Sequence, residues 1–145
     1  GQVVLSGDLE ACGRVPEAAR ELGVRRSLPL KVAGAFHSPL MEPARRALEE
    51  ALAETRITAP RIPVYSNVTA EAVRDADAVR RLLALQVVSP VLWEDSVRKM
   101  LTDGHDDFRE PPPGRVLAGI MKKIAPDSVV AALTVDSGDG AQDAG

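Results

Sequence analysis

Apolar residues along the chain recur at two spacings, one helical and one continuous or alternating. The switching between them predicts an α/β protein. Gln2-Val3-Val4-Leu5 reads as a strand. Over residues 8–22, Leu9, Val15, Ala18, Ala19 and Leu22 fall at helical spacing, with Asp8 placed to cap the start and Gly23 to end it. Residues 27–32 predict a second strand, and Pro29 puts it at an edge. The clearest amphipathic stripe is Leu40, Met41, Ala44, Ala47, Leu48, Ala51 and Leu52, with Glu42, Arg45, Arg46, Glu49 and Glu50 facing away. Ser38 and Pro39 stand before it as N-cap and first-turn proline. Residues 62–66 predict a short strand entering a turn at Asn67, and residues 75–86 and 92–101 predict two helices. Val116, Leu117, Ile120, Met121 and Ile124 mark a further helix with Lys122 and Lys123 in its last turn. Residues 129–135 predict a closing strand, and residues 136–145, rich in Gly, Asp, Ser and Ala, a disordered tail.

Composition narrows the function classes. The 145 residues fit one domain or part of one. A net charge of −3 and few aromatics (Trp93, Tyr65, Phe36, Phe108) argue against a basic, base-stacking surface, so no nucleic-acid partner is expected. The single cysteine, Cys12, excludes an internal disulfide and reads as a packed thiol; one Cys and two His do not build an ordinary zinc site, so no metal is expected. No apolar run reaches the ~20 residues of a membrane span and no signal-peptide pattern occurs, so the expectation is a cytoplasmic chain with no membrane partner. The first residue is Gly1 and a strand-like run follows at once, which reads as a chain without its N-terminal portion.

His37 is the first residue to weigh for chemistry. It sits just before the strongest helix, and an imidazole, with an unperturbed pKa near ~6.5, suits a general base. From spacing alone the commoner case is a loop histidine that helps cap a helix.

Four segments together carry a resemblance. The run from Leu28 through Lys31-Val32-Ala33-Gly34-Ala35-Phe36-His37-Ser38-Pro39-Leu40-Met41 resembles the histidine segment of malonyl-CoA:acyl carrier protein transacylases. Ile62-Pro63-Val64-Tyr65-Ser66-Asn67-Val68-Thr69 and Gln86-Val87-Val88-Ser89-Pro90-Val91-Leu92-Trp93 are similar to later segments of that family, and Glu110 to Ile124 resembles its Glu-x-Gly-Pro-Gly-x-Val-Leu stretch. The resemblance implies an α/β-hydrolase-like large domain with an inserted ferredoxin-like small subdomain. Residues 1–32 would be the remainder of the small subdomain and residues 33–135 the C-terminal part of the large one. It also implies malonyl transfer from malonyl-CoA to the phosphopantetheine thiol of acyl carrier protein in fatty-acid biosynthesis. Coenzyme A thioester enters as substrate, and no resident cofactor is implied.

Carried over by position, His37 matches the catalytic histidine, and Gln86 matches the residue that bonds the other ring nitrogen and fixes the tautomer. Phe36 lies where the family selects malonyl over branched acyl groups, as a substrate-binding ring. Arg25 and Arg26 would ordinarily be surface charge; they align with a basic pair proposed for carrier-protein docking, where opposite charge would steer an acidic partner.

The family's nucleophilic serine lies in a Gly-x-Ser-x-Gly elbow, and no such motif occurs in this sequence. The expected partners therefore include the missing N-terminal half of the same domain, which would also bring the carboxylate-binding arginine. Pro112 replaces a glycine of the Glu-x-Gly-Pro-Gly stretch, losing an N–H and freedom in φ. These departures leave an alternative, a non-catalytic remnant or carrier-protein interaction module.

Overall fold

The structure, a computed structural model, describes residues 2–113, 116–128 and 130–132. Helices and short strands are mixed, as expected of an α/β chain. The chain forms two compact units that divide between Ser96 and Val97.

In the first unit, α1 spans Leu9–Glu21. Asp8 caps it as predicted, its carboxylate accepting from the Ala11 N–H at 2.7 Å. Gly23, at φ +72°, ends it; the Val24 and Gly23 N–H groups bond back to the Ala19 and Arg20 carbonyls, the paired closure that a left-handed residue permits. A 3-10 turn, Pro39–Met41, leads into α2, Glu42–Ala53. On its polar face Arg45 bonds both Glu42 and Glu49, and that guanidinium holds the Glu42 carboxyl well below its usual range, at about 2. Helix α3, Ala76–Gln86, is capped by Asp75 through the Ala78 N–H and packs on α2. Leu52 and Ala84 are buried, and Arg80 donates to the Thr55 carbonyl just past the end of α2.

Three strand expectations are corrected. Residues 2–5 and 27–32 form no strand, and Val3, Leu5, Leu28, Leu30 and Val32 are exposed. A strand is defined by the partner that satisfies its N–H and C=O groups, so apolar runs without one stay irregular. The third expected strand shrinks to β1, Val64–Tyr65, after Pro63, which has no N–H to offer. It pairs antiparallel with β2, Ala72–Val73, which the apolar pattern did not reveal. The tight turn between them has Ala70 at φ +57°, and the Asn67 carbonyl there accepts from the Leu92 N–H at 2.8 Å.

Helix α4, Trp93–Thr102, contains the dividing point. Beyond it, β3, Phe108–Glu110, pairs in parallel with β4, Val130–Ala132, in register Phe108 to Val130. This is a two-stranded sheet among the described residues, and Arg109 within it is exposed, so its charge sits on an open face. The rest of the expected closing strand, and the tail at 136–145, lie outside the described residues. Between β3 and β4 runs α5, Val116–Ile124, with Met121 buried.

Glu110 is 8% exposed, and its two carboxylate oxygens accept from the Leu117 and Ala118 N–H groups at 3.0 and 2.8 Å. It closes the start of α5 from the end of β3, placing negative charge where a helix start presents unpaired donors. Glu110→Ala should therefore destabilise this unit by roughly 1–3 kcal/mol, the cost of removing a buried carboxylate that bonds two part-buried N–H groups of a helix start. Amide exchange at Leu117 and Ala118 should quicken, with Glu110→Gln intermediate; unchanged protection at both amides would remove the cap assignment.

Candidate functional site

The geometry of interest lies in the first unit, where the loop before the Pro39–Met41 turn meets the end of α3. His37 lies in that loop at φ +63°, a left-handed conformation uncommon for residues other than glycine. Two hydrogen bonds accompany it. The His37 N–H donates to the Val87 carbonyl at 3.0 Å, and ring Nδ1 lies 2.9 Å from the Gln86 carbonyl. A carbonyl oxygen only accepts, so Nδ1 carries the proton and Nε2 of the neutral ring keeps its lone pair. The imidazole is exposed. The arrangement presents an oriented basic nitrogen to solvent, the requirement for taking a proton from an incoming hydroxyl or thiol.

Gln86 and His37 are thus brought together across 49 residues, through the Gln86 main-chain carbonyl rather than its side-chain amide. The acceptor with good geometry is the main-chain oxygen. The side-chain Nε2 is 3.4 Å from Nδ1, where two donors face each other, and it donates instead to the Ser89 carbonyl at 3.3 Å. That bond fastens the turn after α3 to the last residue of the helix, next to the junction of Gln86 and Val87 that carries both acceptor carbonyls.

Phe36 is exposed beside His37, and its ring runs close to Gly34. Arg25 and Arg26 are exposed in the irregular segment after α1, with no ion-pair partner among the described residues. Ser38 departs from its expected role. It occupies the N-cap position of the 3-10 turn, yet its hydroxyl makes no capping bond; it points backwards and donates to the Ala35 carbonyl at 2.7 Å. Cys12, expected to be packed, is exposed.

Sequence reasoning missed the carbonyls of Gln86 and Val87 and the reversed bond of Ser38. Backbone acceptors leave no trace in residue identity, because every residue carries one. Among the described residues no group of three or more His, Cys, Asp or Glu side chains could hold a metal, and no helix is long and apolar enough to cross a membrane.

No family model matches the chain. Curated relatives and solved structures do. The malonyl CoA-acyl carrier protein transacylase of Bacillus subtilis is 40% identical over 124 residues, 86% of this chain and 39% of that protein. An acyl carrier protein S-malonyltransferase from Vibrio cholerae superposes with a TM-score of 0.85 at 36% identity, over 88% of this chain and 42% of that one. A malonyl-transacylase solved in complex with a type II polyketide acyl-carrier protein superposes with a TM-score of 0.84 at 35% identity, over 88% and 41%. The chain spans about two fifths of the length of the curated relatives it matches.

Because the Nδ1 acceptor is main chain, Gln86→Ala should leave the ring tautomer intact. The substitution forfeits only the long bond to Ser89, a cost of about 1 kcal/mol or less. Imidazole ¹⁵N spectra of the variant should still show a protonated Nδ1; a switch to protonated Nε2 would return the orienting role to the amide.

Proposed function

This chain is homologous to part of the malonyl CoA-acyl carrier protein transacylases, and on that footing we propose that it supplies the histidine of a malonyl-transfer site. The donor is malonyl-CoA and the acceptor is the phosphopantetheine thiol of an acyl carrier protein. The observation that carries the reading is the His37 imidazole, protonated at Nδ1 by its bond to the Gln86 carbonyl and open at Nε2.

The proposed cycle runs in two halves. A serine hydroxyl gives its proton to His37 Nε2 as its oxygen bonds the malonyl carbonyl carbon; the carbon–sulfur bond to coenzyme A breaks, and the imidazolium protonates the departing thiolate. The carrier thiol then gives its proton to Nε2 as its sulfur bonds the same carbon. The carbon–oxygen bond to serine breaks, and the proton returns to the serine oxygen. The Gln86 carbonyl steadies the imidazolium in both halves.

The serine is supplied from outside these 145 residues, since no Gly-x-Ser-x-Gly elbow occurs within them. Ser38 does not stand in for it, because it is buried and bonded to Ala35. The finer architecture follows the same reading: residues 33–135 belong to an α/β-hydrolase-like domain and residues 1–32 to a ferredoxin-like insertion. Exposure of Val3, Leu5, Leu28, Leu30 and Val32 supports an arrangement in which further chain covers them. Arg25 and Arg26 are assigned to carrier docking, by charge and exposure. Phe36 is assigned to excluding an α-branch from the acyl group, a discrimination worth ~1–3 kcal/mol for one methyl group. A second reading, a non-catalytic remnant or carrier-binding module, is favoured by the absent elbow and by Pro112 in place of a glycine.

The test pairs the chain with a serine-bearing segment of a related transacylase and measures malonyl transfer to carrier protein. His37→Ala should reduce the rate roughly 10²–10⁴-fold. Transfer that survives at the wild-type rate would remove His37 from the mechanism, and carrier binding without any transfer would favour the second reading.

A further inference from the structure

Ser38 holds a place in the site that its role as a helix cap does not explain. At an N-cap a serine hydroxyl ordinarily accepts from an N–H of the first turn. Here the residue has the extended backbone of a cap, φ −131° and ψ 162°, but its hydroxyl makes no such bond. It donates to the Ala35 carbonyl at 2.7 Å and is 6% exposed. The bond closes a four-residue loop whose two inner residues are Phe36 and His37.

We propose that Ser38 is a positioning residue for His37, its hydroxyl latching the loop in the shape that delivers the imidazole to the end of α3. This rests on the reading of His37 as the base. Pro39 restricts Ser38 to extended backbone from one side, and the hydroxyl bond fixes it from the other. With both ends of the loop set, His37 takes the left-handed turn at φ +63°. Its N–H then meets the Val87 carbonyl and its Nδ1 the Gln86 carbonyl. A β-carbon residue adopts that backbone only where its surroundings over-determine it, and a buried hydroxyl spanning the loop is one such restraint. Without it, the loop can relax toward negative φ, which draws the ring away from its acceptor.

The test uses the 145-residue chain and reads the ring directly. Ser38→Ala should raise the exchange rate of the His37 amide by roughly five-fold, the factor that corresponds to losing one ordinary hydrogen bond. Imidazole ¹⁵N shifts of His37 should move toward the Nε2–H form that an unrestrained imidazole favours. Ser38→Thr, which keeps the hydroxyl, should restore both readings. The Ala78 amide, capped independently by Asp75, reports whether α3 is intact. If Ser38→Ala costs α3 its protection, Ser38→Cys replaces it, a similar shape with a weaker donor, and an intermediate tautomer shift is expected. A wild-type tautomer in a folded Ser38→Ala or Ser38→Cys chain overturns the proposal. So does a Ser38→Thr chain that behaves like Ser38→Ala. These spectra need no substrate, so a failure of malonyl transfer and a failure of the latch are separately visible.

Discussion

The constraint on which the site depends is a pair of hydrogen bonds from one residue to two consecutive carbonyls. His37 gives its main-chain N–H to Val87 and its Nδ1–H to Gln86. Both acceptors lie where α3 ends, and helix ends are where carbonyls lose their intrahelical donors. The last turn of α3 therefore offers acceptors with a lone pair to spare to a loop that is 49 residues distant in sequence; the Gln86 carbonyl takes the ring Nδ1–H beside a long 3.4 Å bond from the Ser89 N–H. Satisfying both requires the loop to turn left-handed at His37, so backbone strain and side-chain orientation arise together. The consequence is chemical: a ring fixed as the Nδ1–H tautomer exposes the nitrogen that can accept a proton.

Everything that sets α3 in place then bears on the histidine. Asp75 caps its start, the helix packs on α2 with Ala84 buried, and the Gln86 amide bonds the Ser89 carbonyl of the following turn. Arg80 ties its middle to the chain leaving α2, through the Thr55 carbonyl. A mutation far from His37 on α3 could thus alter the ring's orientation without touching it.

The local elements were legible in the sequence because their determinants are local. Asp8 caps α1 and Gly23 takes the positive φ that ends it, both as expected, whereas Asp75, expected as the first residue of its helix, stands just before it as the cap. The strands were poorly legible because a strand needs a partner. Val3-Val4-Leu5 has the composition of one and no ladder, whereas Ala72-Val73 has little apolar signal and pairs with β1. For the site, His37 and Gln86 were found by resemblance and do come together. The atom of Gln86 that matters was not legible, since a main-chain carbonyl is independent of side-chain identity. The turn of Ser38 away from capping was equally invisible, because Ser-Pro before an apolar stripe reads as a cap in any sequence.

The central claim is that the end of α3, through the Gln86 carbonyl, fixes the tautomer of His37. It is tested most directly by a long-range ¹H–¹⁵N spectrum of the wild-type 145-residue chain, at a pH where histidine is neutral. His105, the other histidine, is identified through a His105→Gln variant. The account predicts one dominant His37 form, protonated at Nδ1 with a bare Nε2. A dominant Nε2–H form, or the averaged shifts of a freely exchanging imidazole, would contradict it.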